Sequence, residues 1–372
     1  MEKQPRRKRF DKSSAEARIL IDEIVHGTFV KEGTMVAFPT CFPAVSVPIR
    51  ADEGLITALD VSADGMLYGG TSGKQAHLFV GMFHGATGMI FDLGAPKDAT
   101  ESAAICCTKD SVAMCVNGPG GGRILTRKLH HLPFDLLQEW GFDRPPLNDL
   151  GAPAPGERII HAVAIPDSNR IIGTTANRIF SADVNDGKIK SEAEIFSRGR
   201  IAVGSDGAVY GFGENAFWRF DAAAGKLALL QNEAVKLPPG EWDGFDLVWA
   251  ADKRNGILYT ADRDGNVFSF RPGTGFEGPL GKTRYAPVAA MAVTMDGRVF
   301  GFCGTGIMRM FCYDPSAREM RDVGIAISVL ERRRYGYVFA DAATGRDGEI
   351  YFAENDNLGH VWLYFPRIMP PR

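Results

Sequence analysis

No apolar run in this chain approaches the about 20 residues needed to cross a bilayer. The opening segment MEKQPRRKRFDKSS is basic but has no apolar stretch behind it, so it is not patterned as a secretory signal, and a cytoplasmic location is expected. Charge of one sign is also lacking. Against 42 lysines and arginines stand 45 aspartates and glutamates, and the net charge of -3 offers no broad field for nucleic acid or an anionic membrane; neither is expected as a partner. There is no C-x-x-C pair among Cys41, Cys106, Cys107, Cys115, Cys303 and Cys312. Their spacing suggests no disulfide framework, and free, mostly buried thiols in a reducing compartment are expected. G-x-S-x-G and H-E-x-x-H are missing, and the GPGGG of Gly118–Gly122 falls between strands rather than between a strand and a helix. These absences remove the serine-elbow, zinc-protease and nucleotide-cradle readings.

What the chain does have is a repeated unit, clearest in Gly345–Pro366, GRDGEIYFAENDNLGHVWLYFP. An Asp347-Gly348 turn, an alternating run, a polar loop and a second alternating run mark half-buried antiparallel strands. Equivalent turns stand at Asp64-Gly65, Asp110-Ser111, Asn169-Arg170, Asp206-Gly207, Asn255-Gly256 and Asp296-Gly297. The seven turns are spaced by about 37 to 59 residues, which suits four-stranded propeller blades of about 40 to 50 residues. The chain therefore reads as an all-β, seven-bladed β-propeller spanning residues 34–372. The last unit has three strands, and the early strand around Met35–Phe38 is expected to supply the fourth and remove an unpaired edge.

Before the ring, residues 1–33 read as a basic tail (Arg6, Arg7, Lys8, Arg9) followed by a short amphipathic helix. Ser13 and Glu16 form its capping box, and Ala17, Leu20, Ile21, Ile24 and Val25 share one face. A second early strand is expected over Ala44–Ile49. Between blades 2 and 3 the segment His130–Gly156 is long and rich in proline, and its Phe134–Trp140 portion reads as the outer strand of blade 2.

Propeller sites gather on the face formed by the loops leading into innermost strands and the loops joining second to third strands. Sorting the chain by those loops yields Tyr335, Tyr337, His161 and His360 as candidate proton movers. Arg200, Arg333, Arg334, His77, Trp242, Trp218 and Glu354 emerge as candidate substrate contacts. The segment Leu330–Tyr337 places three arginines beside two tyrosines, a set suited to a carboxylate- or sulfate-bearing ligand. His77 and His360 hold equivalent positions in adjacent blades, about 15 Å apart at about 4.8 Å per strand step, too far to share one small ion. Glu354, Asn355, Asp356 and Asn357 lack the spacing of a calcium loop. No cofactor is expected, and a divalent metal is not indicated.

The last blade, GRDGEIYFAENDNLGHVWLYF, resembles the repeat of streptogramin B lyase and related propellers. AHLF (Ala76–Phe79) and FCYDP (Phe311–Pro315) are similar to repeats of propeller polysaccharide lyases, the oligogalacturonate and ulvan lyases. The resemblance implies elimination across uronate-containing chains by histidine, tyrosine and arginine at the channel mouth. The paired histidines of ulvan lyases are not reproduced: Thr57 stands where a partner of His77 would lie, His161 faces Arg178, and His360 follows Tyr337. The expected activity is thus a lyase acting on an anionic carbohydrate or similar small polar ligand. The alternative is a non-catalytic scaffold gripping a protein partner through exposed Trp218, Trp242 and the proline-rich segment.

Overall fold

The computed structural model of the chain describes residues 13–15, 17–18, 33–40, 49–84, 87–130, 146–213, 216–230, 237–242, 247–328, 335–356 and 359–367. Among them, 28 strands form seven four-stranded antiparallel sheets. Strand β1 (Gly33–Pro39) precedes blade 1, which consists of β2 (Leu55–Val61), β3 (Leu67–Ser72), β4 (Leu78–His84) and β5 (Thr87–Gly94). Blade 2 is β6 (Glu101–Cys107), β7 (Ser111–Gly118), β8 (Gly121–Lys128) and β9 (Asn148–Gly151); blade 3 is β10 (Ile159–Ala164), β11 (Arg170–Thr175), β12 (Arg178–Asp183) and β13 (Lys188–Glu194). Blade 4 is β14 (Arg198–Val203), β15 (Val209–Gly213), β16 (Ala216–Asp221) and β17 (Lys226–Leu230). Blade 5 is β18 (Trp249–Asp252), β19 (Ile257–Ala261), β20 (Asn266–Arg271) and β21 (Gly275–Lys282). Blade 6 is β22 (Val288–Val293), β23 (Val299–Cys303), β24 (Arg309–Asp314) and β25 (Glu319–Ile325). Blade 7 joins β26 (Phe339–Thr344), β27 (Ile350–Glu354) and β28 (His360–Pro366) to β1.

The innermost strands β2, β6, β10, β14, β18, β22 and β26 each pack beside the next, and β26 packs beside β2. The ring is a closed seven-bladed propeller. Every turn singled out in the sequence joins an innermost strand to a second strand. Closure follows the expected route, with β1 antiparallel to β28 from Gly33 opposite Pro366 to Pro39 opposite His360. The core lies between blade faces: Met35, Phe300, Phe352, Trp362 and Tyr364 fill the space between blades 6 and 7, and Tyr68, Leu78, Ile105 and Met114 fill that between blades 1 and 2.

Two devices recur inside the blades. In blades 1, 3, 4 and 6 a second-strand glycine lies opposite a third-strand aromatic: Gly69–Phe79, Gly173–Phe180, Gly211–Trp218 and Gly301–Phe311. The ring occupies the space of the missing side chain, so that a Cβ on Gly211 would sit 2.3 Å from Trp218 Cζ2. In the outer strands of blades 1, 2 and 6, an Asp-x-Gly triplet builds a β-bulge: Asp92-Leu93-Gly94, Asp149-Leu150-Gly151 and Asp322-Val323-Gly324. Each carboxylate accepts the N–H of its own glycine, at 2.9, 2.8 and 3.2 Å respectively, and each glycine has positive φ (127°, 100° and 114°), which a side chain would strain.

Three expectations change or fall outside the described residues. The outer strand of blade 2 is Asn148–Gly151, and Phe134–Trp140 lies outside the described residues, as do residues 44–48 of the second early strand. Ahead of the ring, Ala17 N donates to Ser14 Oγ at 3.0 Å and Arg18 N to Ser14 O at 3.1 Å, while Glu16, the other half of the expected capping box with Ser13, lies outside the described residues. The rest of that helix, residues 19–25, lies outside the described residues. Cys106, Cys107, Cys115, Cys303 and Cys312 are free thiols.

Candidate functional site

The innermost strands expose backbone N–H groups toward the central channel, and side chains from neighbouring blades satisfy several of them. Asp341 on β26 accepts Leu59 N of blade 1 at 2.8 Å, and Asp60 on β2 accepts Cys107 N of blade 2 at 2.7 Å. His161 Nδ1 on β10 accepts Ile201 N of blade 4 at 3.3 Å. Arg200 on β14 reaches across the channel, where its guanidinium donates to Asp341 Oδ1 and to the Ala340 carbonyl. Blades 4 and 7 are thereby strapped together through the middle of the ring.

The channel's electrostatics follow from this crowding. Burial, with a smaller contribution from the charge of Asp341, pushes the Asp60 carboxyl up to about 6, although the Cys107 N–H and the charge of Lys253 pull the other way. Burial and the nearby Arg200 cation hold His161 down at about 3, so its imidazole is neutral near pH 7 and serves as an acceptor. His161 is therefore not an acid in the ground state, and Arg200 is already engaged by Asp341.

The upper face, where chain segments lead into the innermost strands, carries a second group of residues. Glu354 ends β27 fully buried and accepts three donors: Tyr337 N at 3.1 Å, Trp362 Nε1 at 3.0 Å and His360 Nδ1 at 3.0 Å. His360 is 2% exposed, whereas Tyr337 is 40% exposed. The Tyr335 and Tyr337 rings lie 5.1 Å apart. The carbonyl of Tyr337 accepts Met308 N at 2.7 Å, tying it to the start of the third strand of blade 6. There Arg309 and the exposed Arg284 both lie 5.6 Å from the ring of Tyr285, itself 43% exposed. Farther round, Arg198 covers the exposed Phe196 ring at 4.9 Å. Three of the five exposed large hydrophobic residues among those described, Phe196, Tyr285 and Tyr337, thus stand on this one face.

His77 lies apart from that group. Its Nε2 is 3.1 Å from Glu53 and its Nδ1 3.2 Å from Asp92, so both ring nitrogens face carboxylates. Burial lowers its pKa, but the Asp92 hydrogen bond and the two carboxylate charges outweigh this and the net shift is upward. The clamp recurs at the start of other third strands: Arg178 with Glu157 at 2.8 Å, Arg123 with Asp149 at 2.8 Å and Arg309 with Asp322 at 2.7 Å.

The candidates named from sequence therefore separate. Glu354, His360, Tyr335 and Tyr337 come together; His161 and Arg200 belong to the channel; His77 is clamped in blade 1; Arg333 and Arg334 lie outside the described residues. Trp218 and Trp242 were expected to be exposed, but both are buried, at 0% and 7%. Trp218 fills the space over Gly211, and Trp242 donates to Pro238 O at 2.8 Å while packing on Phe268. Sequence reasoning missed Asp60 and Asp341. Their signal was an acidic residue inside otherwise small or apolar innermost strands, LITALDV and FADAAT. Among the described residues no group of three or more His, Cys, Asp or Glu side chains is placed to hold a metal ion.

No protein-family model and no curated protein matches the chain. Among solved structures it is similar to a catalytically inactive variant of virginiamycin B lyase from Staphylococcus aureus with quinupristin, at a TM-score of 0.61 and 14% identity over 90% of this chain and 100% of that one. It is also similar to the extracellular domain of the B. thetaiotaomicron protein BT4673, at a TM-score of 0.57 and 12% identity over 88% of this chain. The match spans 39% of that longer chain. At these identities the likeness is one of fold.

Proposed function

We propose that the upper face at blades 6 and 7 binds an anionic carbohydrate and cleaves it by β-elimination. One observation carries this reading: the exposed Tyr337 ring, set beside Tyr335, is fixed through its own backbone by the buried Glu354–His360 pair. A buried carboxylate with three donors is a rigid support, and preorganisation of this kind keeps a reacting side chain in place. Aromatic faces at Tyr285 and Tyr337 suit the apolar side of a sugar ring, and Arg284 beside Tyr285 suits a carboxylate. Arg333 and Arg334 precede Tyr335 directly in the chain and complete the cationic set proposed for the uronate.

In the reaction, a guanidinium neutralises the uronate carboxylate and acidifies the neighbouring C–H. Tyr337, reacting as its phenolate, takes that proton and becomes the phenol, the C–H pair becomes the C=C bond, the C–O bond to the leaving sugar breaks, and the Tyr335 phenol delivers its proton to the departing oxygen. His360 acts as a positioning residue through Glu354. The lyase likeness agrees with this chemistry but does not carry it.

The test is incubation with a panel of uronate oligosaccharides, following the ultraviolet absorbance of the unsaturated product. Tyr337→Phe should abolish turnover and leave binding within about threefold, because only the hydroxyl is removed. A flat trace across the panel beside an active control lyase would overturn the reading. The scaffold alternative drew on exposed tryptophans, and Trp218 and Trp242 do not supply them.

A further inference from the structure

The chain contains two Asn-Gly pairs, Asn117-Gly118 and Asn255-Gly256, and the fold treats them oppositely. Asn117 lies in β7, 1% exposed, with its amide clasped by blade 3: Nδ2 donates to Ile159 O and Oδ1 accepts Ile159 N, both at 2.8 Å. Asn255 stands exposed in the turn between β18 and β19, on the face opposite the candidate site. Its Nδ2 donates to Asp252 Oδ2 at 2.8 Å within the same turn, and Gly256 follows with a φ of 64°. The Gly256 N–H finds no acceptor among the described residues. In the similar Asp-x-x-x-Gly turns, by contrast, Gly187 N donates to Asp183 O at 2.9 Å and Gly225 N to Asp221 O at 2.8 Å. An exposed side-chain amide is thus followed by an unengaged backbone nitrogen that no Cβ shields.

We infer that Asn255 is a site of spontaneous deamidation, at which the folded chain converts its own asparagine to aspartate and isoaspartate. The Gly256 nitrogen attacks Asn255 Cγ: the N–Cγ bond forms, the Cγ–Nδ2 bond breaks, and the proton lost from Gly256 N leaves with Nδ2 as ammonia. Water then opens the cyclic imide at either carbonyl, giving aspartate or, with the backbone rerouted through Cγ, isoaspartate. Solvent water is the only other reactant. The conversion changes its surroundings. A carboxylate at position 255 faces that of Asp252, 3% exposed, which loses the Nδ2 donor and gains a like charge. Isoaspartate also lengthens the backbone where Asn255 O accepts Arg271 Nη1 at 2.9 Å, next to Arg254, whose Nη2 donates to Thr294 O in the turn of blade 6 at 3.3 Å. The modification therefore loosens the seam between blades 5 and 6. It is separate from the Tyr337 group and does not depend on the lyase reading.

The experiment is storage of the full folded chain in warm buffer at pH 8, and in parallel in urea, followed at intervals by trypsin digestion and mass spectrometry of peptides 255–263 and 110–123. In the folded chain, peptide 255–263 should gain the mass difference between an amide and an acid and split on chromatography into aspartate and isoaspartate forms. The gain should be at least about tenfold faster than in peptide 110–123, whose asparagine reacts only after local opening. In urea both peptides should convert, which assigns the difference to the fold. Asn255→Gln should remove the gain from peptide 255–263, and Asn255→Asp should lower Tm, with the circular dichroism spectrum of each variant confirming the fold. No gain in peptide 255–263 of the folded chain, or equal rates in the two peptides, would overturn the site, and an unchanged Tm in Asn255→Asp would overturn the loosening.

Discussion

Replacing Asp60 with asparagine should stabilise the protein at alkaline pH and do little in acid. The carboxyl lies in the channel wall with its folded pKa raised from 3.8 to about 6, chiefly by burial. A raised carboxyl favours the neutral form in the fold, so below the unfolded value near 3.8 the group costs nothing. Between about 3.8 and about 6 the unfolded chain ionises this carboxyl while the fold keeps it protonated, so a penalty grows across that window and is constant above it. At about 1.4 kcal/mol per pH unit, the rise from 3.8 to about 6 corresponds to about 3 kcal/mol of destabilisation above pH 7. Asparagine keeps an oxygen for Cys107 N, now 2.7 Å from Asp60 Oδ2, but adds an amide that needs its own partner, at about 1 kcal/mol. The net gain expected at pH 8 is about 2 kcal/mol, turning to a loss of about 1 kcal/mol at pH 4. Urea unfolding at both pH values measures the two differences. Lys253→Met serves as a control, because the Lys253 charge lowers the Asp60 pKa and its removal should enlarge the alkaline penalty. A stability difference between Asp60→Asn and wild type that stays constant from pH 4 to pH 8 would refute the reasoning.

The cross-channel strap should behave as a coupled pair: Asp341→Asn alone should cost about 3 kcal/mol, since it leaves the Arg200 charge uncompensated, whereas adding Arg200→Met to it should recover more than half, as read by a double-mutant cycle in urea. Gly211→Ala should destabilise by about 2 kcal/mol or more, because the new methyl meets Trp218 Cζ2 at 2.3 Å; Gly207→Ala at a turn with open space around it would show only the backbone cost of its positive φ, and an equal Tm loss in both would argue against the packing account. His77→Gln should lose most stability in acid, since a raised histidine pKa contributes below its unfolded value and that contribution fades as pH rises through the folded one; a loss that grows toward alkaline pH would contradict the double clamp by Glu53 and Asp92.

The ring was legible because its marks are local. An Asp-Gly turn followed by an apolar alternating strand needs only neighbouring residues to be recognised, and the unpaired third strand of the last unit required a partner that Met35–Phe38 could supply. The outer strand of blade 2 was not legible by the same rule. Its mark is the hydrogen-bonded Asp149-Leu150-Gly151 bulge rather than hydrophobic alternation, so the more apolar FDLLQEW drew the assignment. Trp218 looked exposed because it begins a third strand on the upper face, yet its seat was already written as Gly211 on the strand opposite. The site was legible as a set of loops but not as a set of contacts. Arg200 finds Asp341 at a separation of 141 residues, and Glu354 gathers Tyr337, His360 and Trp362 from three directions. Such choices depend on where whole blades come to rest.

The mixed origin of blade 7 also imposes an order of events on biosynthesis. Gly33–Pro39 leaves the ribosome early, yet its hydrogen-bonding partner His360–Pro366 is about 320 residues downstream. At roughly 5–20 residues per second the strand waits roughly 15 to 65 seconds. Throughout that interval the nascent polypeptide must keep Met35, Val36 and Ala37, all buried once the circle shuts, from pairing with the wrong neighbour.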